Sequence, residues 1–411
     1  MSDTKPKKND AVEPKLIGAP EQRLTVLQII PRLQAGGAET GCIQVAEALV
    51  KAGHRAIVVS EGGSRLHELE EVGGEHIIMN ASTKNPLKMR RNARELANII
   101  RENNVDIIHA RSRAPAWSAL WASKKAEIPF ITTYHSGYSE NGRLKNFYNS
   151  VMARSNRVIA VSEFMAHLIR TRNKIPENRI TVIHRCVDHA EFVRDETLDD
   201  RMDALRRDWG IGKDTRVLLL PGRVSRRKAQ DHLIEAAAKL KGRGVENFVC
   251  VFAGDAAGKE SFRVELDDLA HELGAMDVLR FIGHCPDMPA AYATAAVSLN
   301  ISYSEGFPRV ALEAQAMATP VIVSDTGPGR EVAMTPPDVD FAEATGLRVP
   351  FNDVQALTGM LEELLNWPEE KRIAMGQRGA DHVRGRYTHE RLQAETLQVY
   401  REVMAEQALS N

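Results

Sequence analysis

From residue 24 onward, short unbroken apolar runs alternate with longer stretches whose apolar positions recur every three or four residues. The runs at 24–30, 56–60, 76–79, 105–109, 130–133 and 158–161 predict strands, and the stretches between them predict helices. A strand that is apolar at every position is covered on both faces, so the alternation predicts α/β architecture with a parallel sheet between helical layers, a doubly wound unit. A second series at 217–220, 248–252, 278–282, 297–299 and 321–323 repeats the pattern. At 411 residues the chain exceeds the size at which one core keeps growing. Two Rossmann-like domains are therefore expected, 23–190 and 191–385, with the junction within 185–200. Residues 1–22 lack an apolar core and are expected to be a disordered leader. Leu392, Thr396, Val399 and Val403 at helical spacing predict a closing helix within 386–411.

Composition narrows the class. The chain is 43% hydrophobic and 27% charged, with no apolar run long enough to span a bilayer. Cys42, Cys186, Cys250 and Cys285 are far apart, which indicates neither a disulfide framework nor a zinc site and fits a reducing, cytoplasmic setting. The net charge of −1 conceals an asymmetry: residues 21–190 hold 24 Lys and Arg against 16 Asp and Glu, and residues 191–411 hold 26 against 36. A basic first half suits an anionic acceptor or membrane surface. Nucleic acid is not expected, because no helix-turn-helix, zinc finger or aromatic-basic motif accompanies the charge. Lys88, Arg90, Arg91, Arg94 and Arg101, interspersed with Leu87, Ile99 and Ile100, describe either a surface helix that touches lipid headgroups or an amphipathic helix packed on the sheet.

Candidate chemistry concentrates at predicted strand ends. Glu305 and Glu313 stand eight positions apart across a loop that enters a helix, with Pro308 at the first helical position. The amides of Arg309 and Val310 would then be unpaired, and a helix N-terminus favours a phosphate, while the carboxylates accept from hydroxyls. Phosphate with hydroxyls describes a nucleotide sugar. Gly36 and Gly37 follow the first strand and precede a helix; they permit close approach of a ligand or simply make a tight turn. Arg223, Arg226, Arg227 and Lys228 crowd the end of the first strand of the second half, where Arg and Lys would stabilise a departing diphosphate. Asp338-Val339-Asp340 fits a metal-binding triplet but lies after Pro336-Pro337, away from these groups, and no metal or other cofactor is expected.

The segment E-G-F-P-R-V-A-L-E-A-Q-A, from Glu305 to Ala316, resembles the Glu-seven residues-Glu motif of the retaining glycosyltransferases of family 4. The G-G-A-E loop at Gly36, the G-R-x-x-x-x-K pattern of Arg223 and Lys228, and the T-x-H-G-like segment at His135 extend the resemblance over roughly 24–405. It implies a glycosyltransferase-B fold, two domains facing across a cleft, with the last helix crossing back to the first. In that family Glu305 would hold sugar hydroxyls, the backbone of Gly306, Phe307, Pro308, Arg309 and Val310 would approach sugar and phosphate, and Glu313 would bind the ribose. His135 would contact the donor sugar near the reacting carbon. Gly254, Asp255, Gly283 and His284 occupy positions where relatives hold the nucleotide, and Arg111 and Arg113 would meet the acceptor. The interdomain V-I-x-N-G-V-D sequence of the family has become V-I-H-R-C-V-D, with Arg185 and Cys186 in place of Asn and Gly.

The expected activity is transfer of a sugar, with retention and without metal, from a nucleotide diphosphate sugar to a hydroxyl of a cell-envelope glycan or lipid-linked acceptor. Such an acceptor brings peripheral contact with the cytoplasmic face of the inner membrane. A non-catalytic nucleotide-sugar binder and a nucleotide-sugar epimerase are the alternatives; a nicotinamide dehydrogenase is disfavoured because neither half carries the G-x-G-x-x-G fingerprint.

Overall fold

Every one of the apolar runs becomes a strand in the structure, a computed structural model that describes residues 23–34, 36–138 and 142–410. The expected leader over 1–22 lies outside the described residues. The first lobe carries β1 (Thr25–Ile29), β2 (Arg55–Ser60), β3 (Glu75–Ile78), β4 (Ile107–Ala110), β5 (Phe130–Tyr134), β6 (Arg157–Ala160) and β7 (Ile180–Val182), all parallel, in the order β3-β2-β1-β4-β5-β6-β7. Its helices are α1 (Gly37–Lys51), α2 (Leu66–Glu71), α3 (Pro86–Glu102), α4 (Arg113–Ala126), α5 (Arg143–Asn149) and α6 (Glu163–Asn173).

The second lobe repeats the plan with β8 (Arg216–Pro221), β9 (Phe248–Ala253), β10 (Leu279–Gly283), β11 (Ala295–Asn300), β12 (Val321–Ser324) and β13 (Gly346–Val349), ordered β10-β9-β8-β11-β12-β13 and again parallel. Its helices are α7 (Leu198–Asp208), α8 (Gln230–Gly242), α9 (Glu260–Glu272), α10 (Met288–Thr294), α11 (Arg309–Ala316), α12 (Gly327–Val332), α13 (Val354–Leu365) and α14 (Glu369–Arg386). Two doubly wound lobes of this kind constitute the glycosyltransferase-B fold. In each sheet the strand order reverses beside the first strand, between β1 and β4 and between β8 and β11, which opens a crevice beyond the carboxyl ends.

The final helix, α15 (His389–Ser410), packs on the first lobe: Leu392, Val399, Tyr400 and Val403 are buried with Val26, Ile43 and Ile107, and Tyr400 Oη lies 2.8 Å from His109 Nδ1. Two strands have no counterpart among the apolar runs. β7 is a three-residue edge strand only half buried, and β13 is an edge strand that opens on Gly346 and contains Arg348; neither position demands a continuous apolar run. In α3, Ile99 and Ile100 are buried with Leu96 while Lys88, Arg90, Arg91, Arg94 and Arg101 are exposed, so its isoleucines pack inward and its cations form the outer face. Among the described residues no helix is long and apolar enough to cross a membrane.

Candidate active site

The reversal at β1 delivers the first wall. Beyond β1, Gly36 caps α1 in an extended conformation without a side-chain bond, so the first-turn amides of α1 precede its first helical hydrogen bond, from Thr40 N to the Gly36 carbonyl at 3.1 Å. Glu39 folds back so closely that a Cβ on Gly36 would strike its carboxylate, and a Cβ on Gly37 would come within 3.7 Å of Arg309 Cδ from the other lobe. His135 follows β5 directly.

The reversal at β8 delivers the opposite wall. Gly222 sits at φ 130°, in the left-handed region, and a Cβ there would meet Lys228 Cε at 3.0 Å. The turn that follows carries Lys228 Nζ to 2.6 Å from Glu305 Oε1, just after β11. Gly306 passes against the His135 backbone, leaving no room for a side chain, and Ser162 Oγ donates to the Gly306 carbonyl at 2.8 Å. Pro308 is the residue before α11, not its first helical position: with Pro308 extended at ψ 93°, the helix opens on Arg309. The amides of Arg309 and Val310 precede its first hydrogen bond, from Ala311 N to the Pro308 carbonyl at 3.1 Å. One turn on, Glu313 accepts from Tyr292 Oη at 3.0 Å and pairs with Arg309 at 3.3 Å.

These groups share one cleft of about 630 Å³ between the lobes. Gly36, Gly37 and His135 line one side, and Arg223, Lys228, Glu305, the backbone of 306–310 and Glu313 line the other. Burial pushes the Glu305 carboxyl up, but the charges of Lys228 and Arg227 outweigh it and hold the group below the usual carboxylate range. Burial, with Arg185 and Arg111 nearby, drives His135 well below the usual imidazole range, so it is neutral at pH 7.

Several expected residues stand elsewhere. Arg111 lies beneath the cleft, 3% exposed, with Nε 2.6 Å from Gln28 Oε1. Arg113 is turned toward Asn149, 2.6 Å away, with its guanidinium 4.0 Å from the Tyr138 ring. Gly254, Asp255, Gly283 and His284 continue the carboxyl edge along β9 and β10, beside the segment that carries Arg223, with the Asp255 carbonyl accepting from Val224 N at 2.9 Å. There Gly254 packs so tightly on the Gly222 carbonyl that a side chain would not fit. Asp338 is tied to Arg348 at 2.5 Å, and no cluster of three metal-ligating side chains occurs among the described residues. Of the two cations that fall outside the G-R-x-x-x-x-K pattern, Arg226 turns away to Glu265 and Phe262, whereas Arg227 lines the cleft. Arg185 also lines it, from the segment after β7. The replaced Asn in the interdomain sequence was the only signal for Arg185.

Residues 35–191 match the model of Glycosyltransferase Family 4, and residues 201–382 match that of Glycosyl transferases group 1. A crystal structure of a glycosyltransferase from Rickettsia africae is 30% identical, covering 93% of this chain and 99% of its own, with a TM-score of 0.83. A D-inositol 3-phosphate glycosyltransferase from Kribbella flavida is 30% identical over 68% of this chain and 67% of its own. Anabaena HepE, in complex with UDP and glucose, shares the fold at a TM-score of 0.79 and 19% identity over 92% of this chain and all of its own.

Proposed function

The chain belongs to the group 1 glycosyltransferases with a family 4 first lobe, and from that premise we propose that it moves a sugar, with retention and without a metal, from a nucleotide diphosphate sugar to an acceptor hydroxyl. The observation that carries this reading is the convergence of Arg223, Lys228, Glu305, Glu313 and the α11 N-terminus on one cleft that also holds Gly36, Gly37 and His135. Phosphate oxygens suit the α11 amides and the cations, and the two carboxylates suit sugar and ribose hydroxyls. The complex of HepE with UDP and glucose agrees with such a donor.

Glu305 is held in an ion pair by Lys228, which suits it to accept hydrogen bonds from sugar hydroxyls rather than to attack carbon. Of the other carboxylates on the cleft, Glu313 is engaged by Tyr292 and Arg309 and Glu39 folds back onto Gly36, so in this reading the leaving diphosphate takes the acceptor proton on the face it departs from, which gives retention. Arg223, Lys228 and Arg227 supply the charge that stabilises the diphosphate, the task a metal performs in other transferases. His135, neutral, offers one hydrogen bond to the sugar. Gly254, Asp255, Gly283 and His284 lie along the edge where the nucleoside extends.

The acceptor is a glycan or lipid-linked hydroxyl of the cell envelope, as in lipopolysaccharide, O-antigen or exopolysaccharide assembly, met at the cytoplasmic face of the inner membrane. Supporting this is the outer face of α3 and α4, where Arg90, Arg94 and Lys125 surround Trp121. Incubation with uridine and guanosine diphosphate sugars, with and without a lipid-linked acceptor, tests the reading by nucleotide diphosphate release. Acceptor-dependent release is expected. Conversion of donor without acceptor would instead identify an epimerase, and binding without turnover a sensor.

A further inference from the structure

We propose that the cleft contains a second anion site, centred on Arg185 and separate from the donor diphosphate site, that takes a phosphate or carboxylate group of the acceptor. The inference rests on the transferase reading above. Arg185 is 8% exposed and lines the first-lobe side of the cleft, on the segment that leaves β7. Its Nη2 donates to His135 Nδ1, a neutral partner. Beneath it is Arg111, whose partners are the neutral Gln28 and Tyr400. Among the described residues neither guanidinium has a carboxylate within ion-pair distance. The third arginine, Arg309, reaches Glu313 only at 3.3 Å.

Two buried donors around this point, Arg111 Nη2 and Arg309 Nε, have no protein partner among the described residues, and His135 Nε2, likewise unpartnered there, is the donor left for the sugar. A buried charge without a counter-charge is costly, and a buried donor without an acceptor adds to that cost. Burial, reinforced by Arg111 and Arg309, pushes the Arg185 guanidinium down to about 9. An oxyanion seated beside Arg185 and Arg309, which both line the cleft, accepts hydrogen bonds from them and supplies the counter-charge that Arg185 and the underlying Arg111 lack. The first turn of α1 at Gly36 and Gly37 opens into the same space; its Glu39 carboxylate folds back onto Gly36 and acts on Arg185 only from outside ion-pair distance.

This site is not the diphosphate site. Arg223 and Lys228 reach the cleft from the loop after β8 in the second lobe, whereas Arg185 stands with His135 on the first-lobe side. A transferase needs its leaving group and its nucleophile on different partners, and two cationic centres on opposite walls provide for an anionic acceptor beside an anionic donor.

The test uses the full chain saturated with UDP or GDP, into which inorganic phosphate is titrated at constant ionic strength, followed by thermal shift and calorimetry. Phosphate is expected to bind alongside the nucleotide. Arg185→Gln should weaken phosphate by about tenfold or more, as loss of a charged hydrogen bond requires, and leave the nucleotide unaffected. Arg223→Ala should do the reverse. Competition between phosphate and nucleotide in the wild type, phosphate affinity unchanged by Arg185→Gln, or no phosphate binding at all overturns the site. If Arg185→Gln does not fold, the wild-type competition between phosphate and nucleotide decides alone. Phosphate binding without any nucleotide binding would sink the donor assignment while leaving this site standing.

Discussion

Lys228 Nζ and Glu305 Oε1 stand 2.6 Å apart and join the loop after β8 to the loop after β11 inside the cleft. Both side chains are about 15% exposed, so each is the other's principal charge partner. Lys228→Ala removes a cation from the leaving group and strands a buried carboxylate. Turnover should fall by about 10²-fold or more, and stability by about 3 kcal/mol. Because the stranded charge causes the second loss, Lys228→Ala with Glu305→Gln should be more stable than Lys228→Ala alone in urea unfolding. Equal stability of the single and double variants would show that the pair does not form.

Arg223 offers a cleaner separation of catalysis from folding. It is exposed on the cleft wall, and its contacts within the chain are made through its carbonyl, which accepts from Gln230 Nε2 at 3.2 Å and Ser225 Oγ at 3.4 Å. Arg223→Ala is therefore expected to lower kcat by about 10²-fold with the melting temperature unchanged. Near wild-type turnover would remove Arg223 from the diphosphate site.

A carboxylate of one lobe caps a helix of the other. Glu331, on α12, accepts from the amides of Glu163 and Phe164 at 2.8 Å each, at the start of α6, and lies 3.1 Å from His184 Nε2. Those amides open the helix and have no helical partner, so Glu331 does across the lobe boundary what a cap residue does locally. Glu331→Ala should destabilise the protein by about 1–2 kcal/mol and loosen the lobes, raising amide exchange at Glu163 and Phe164, while Met165, whose amide donates to Ser162 Oγ, stays protected. Unchanged exchange at Glu163 and Phe164 would mean that the cap contributes nothing to lobe closure.

Legibility in the sequence followed burial. The central strands were readable because β1, β4, β8 and β11 are covered on both faces and tolerate little but apolar residues, while the edge strands β7 and β13 escape that demand. In the cleft, Gly36, Gly306, Lys228 and Glu305 were legible because spacing along one loop or helix start fixes their neighbours. Arg227 and Arg185 were not, since which of several adjacent cations faces the cleft depends on the turn after β8, and Arg185 reaches His135 only through the packing of two strand ends. Arg111 and Arg113 illustrate the converse. They sit two positions apart after one strand, yet one is buried under the cleft and the other stacks over Tyr138.

Buried histidines should set the acid limit of the fold. His109 lies between Tyr400 Oη at 2.8 Å and Thr133 Oγ1 at 2.7 Å, and its burial, with Arg111 and Arg185 close by, holds it well below the ordinary imidazole range, as it does His135. In the unfolded chain both titrate near pH 6.5. Above that value neither state is protonated and stability is complete; below it the unfolded state takes up protons that the folded state refuses. Stability should therefore fall as pH drops below about 6.5, at a slope approaching about 1.4 kcal/mol per pH unit for each histidine. Glu305, held below the usual carboxylate range, stays ionised across pH 6.5 to 5.5 and does not mask the effect. Urea unfolding at pH 7.5, 6.5 and 5.5 measures the slope, and His109→Gln, which retains a polar group between Tyr400 and Thr133, should make it shallower. A flat profile in the wild type would mean that these imidazoles take up protons as readily in the folded state as in the unfolded chain, which would remove them as the acid limit.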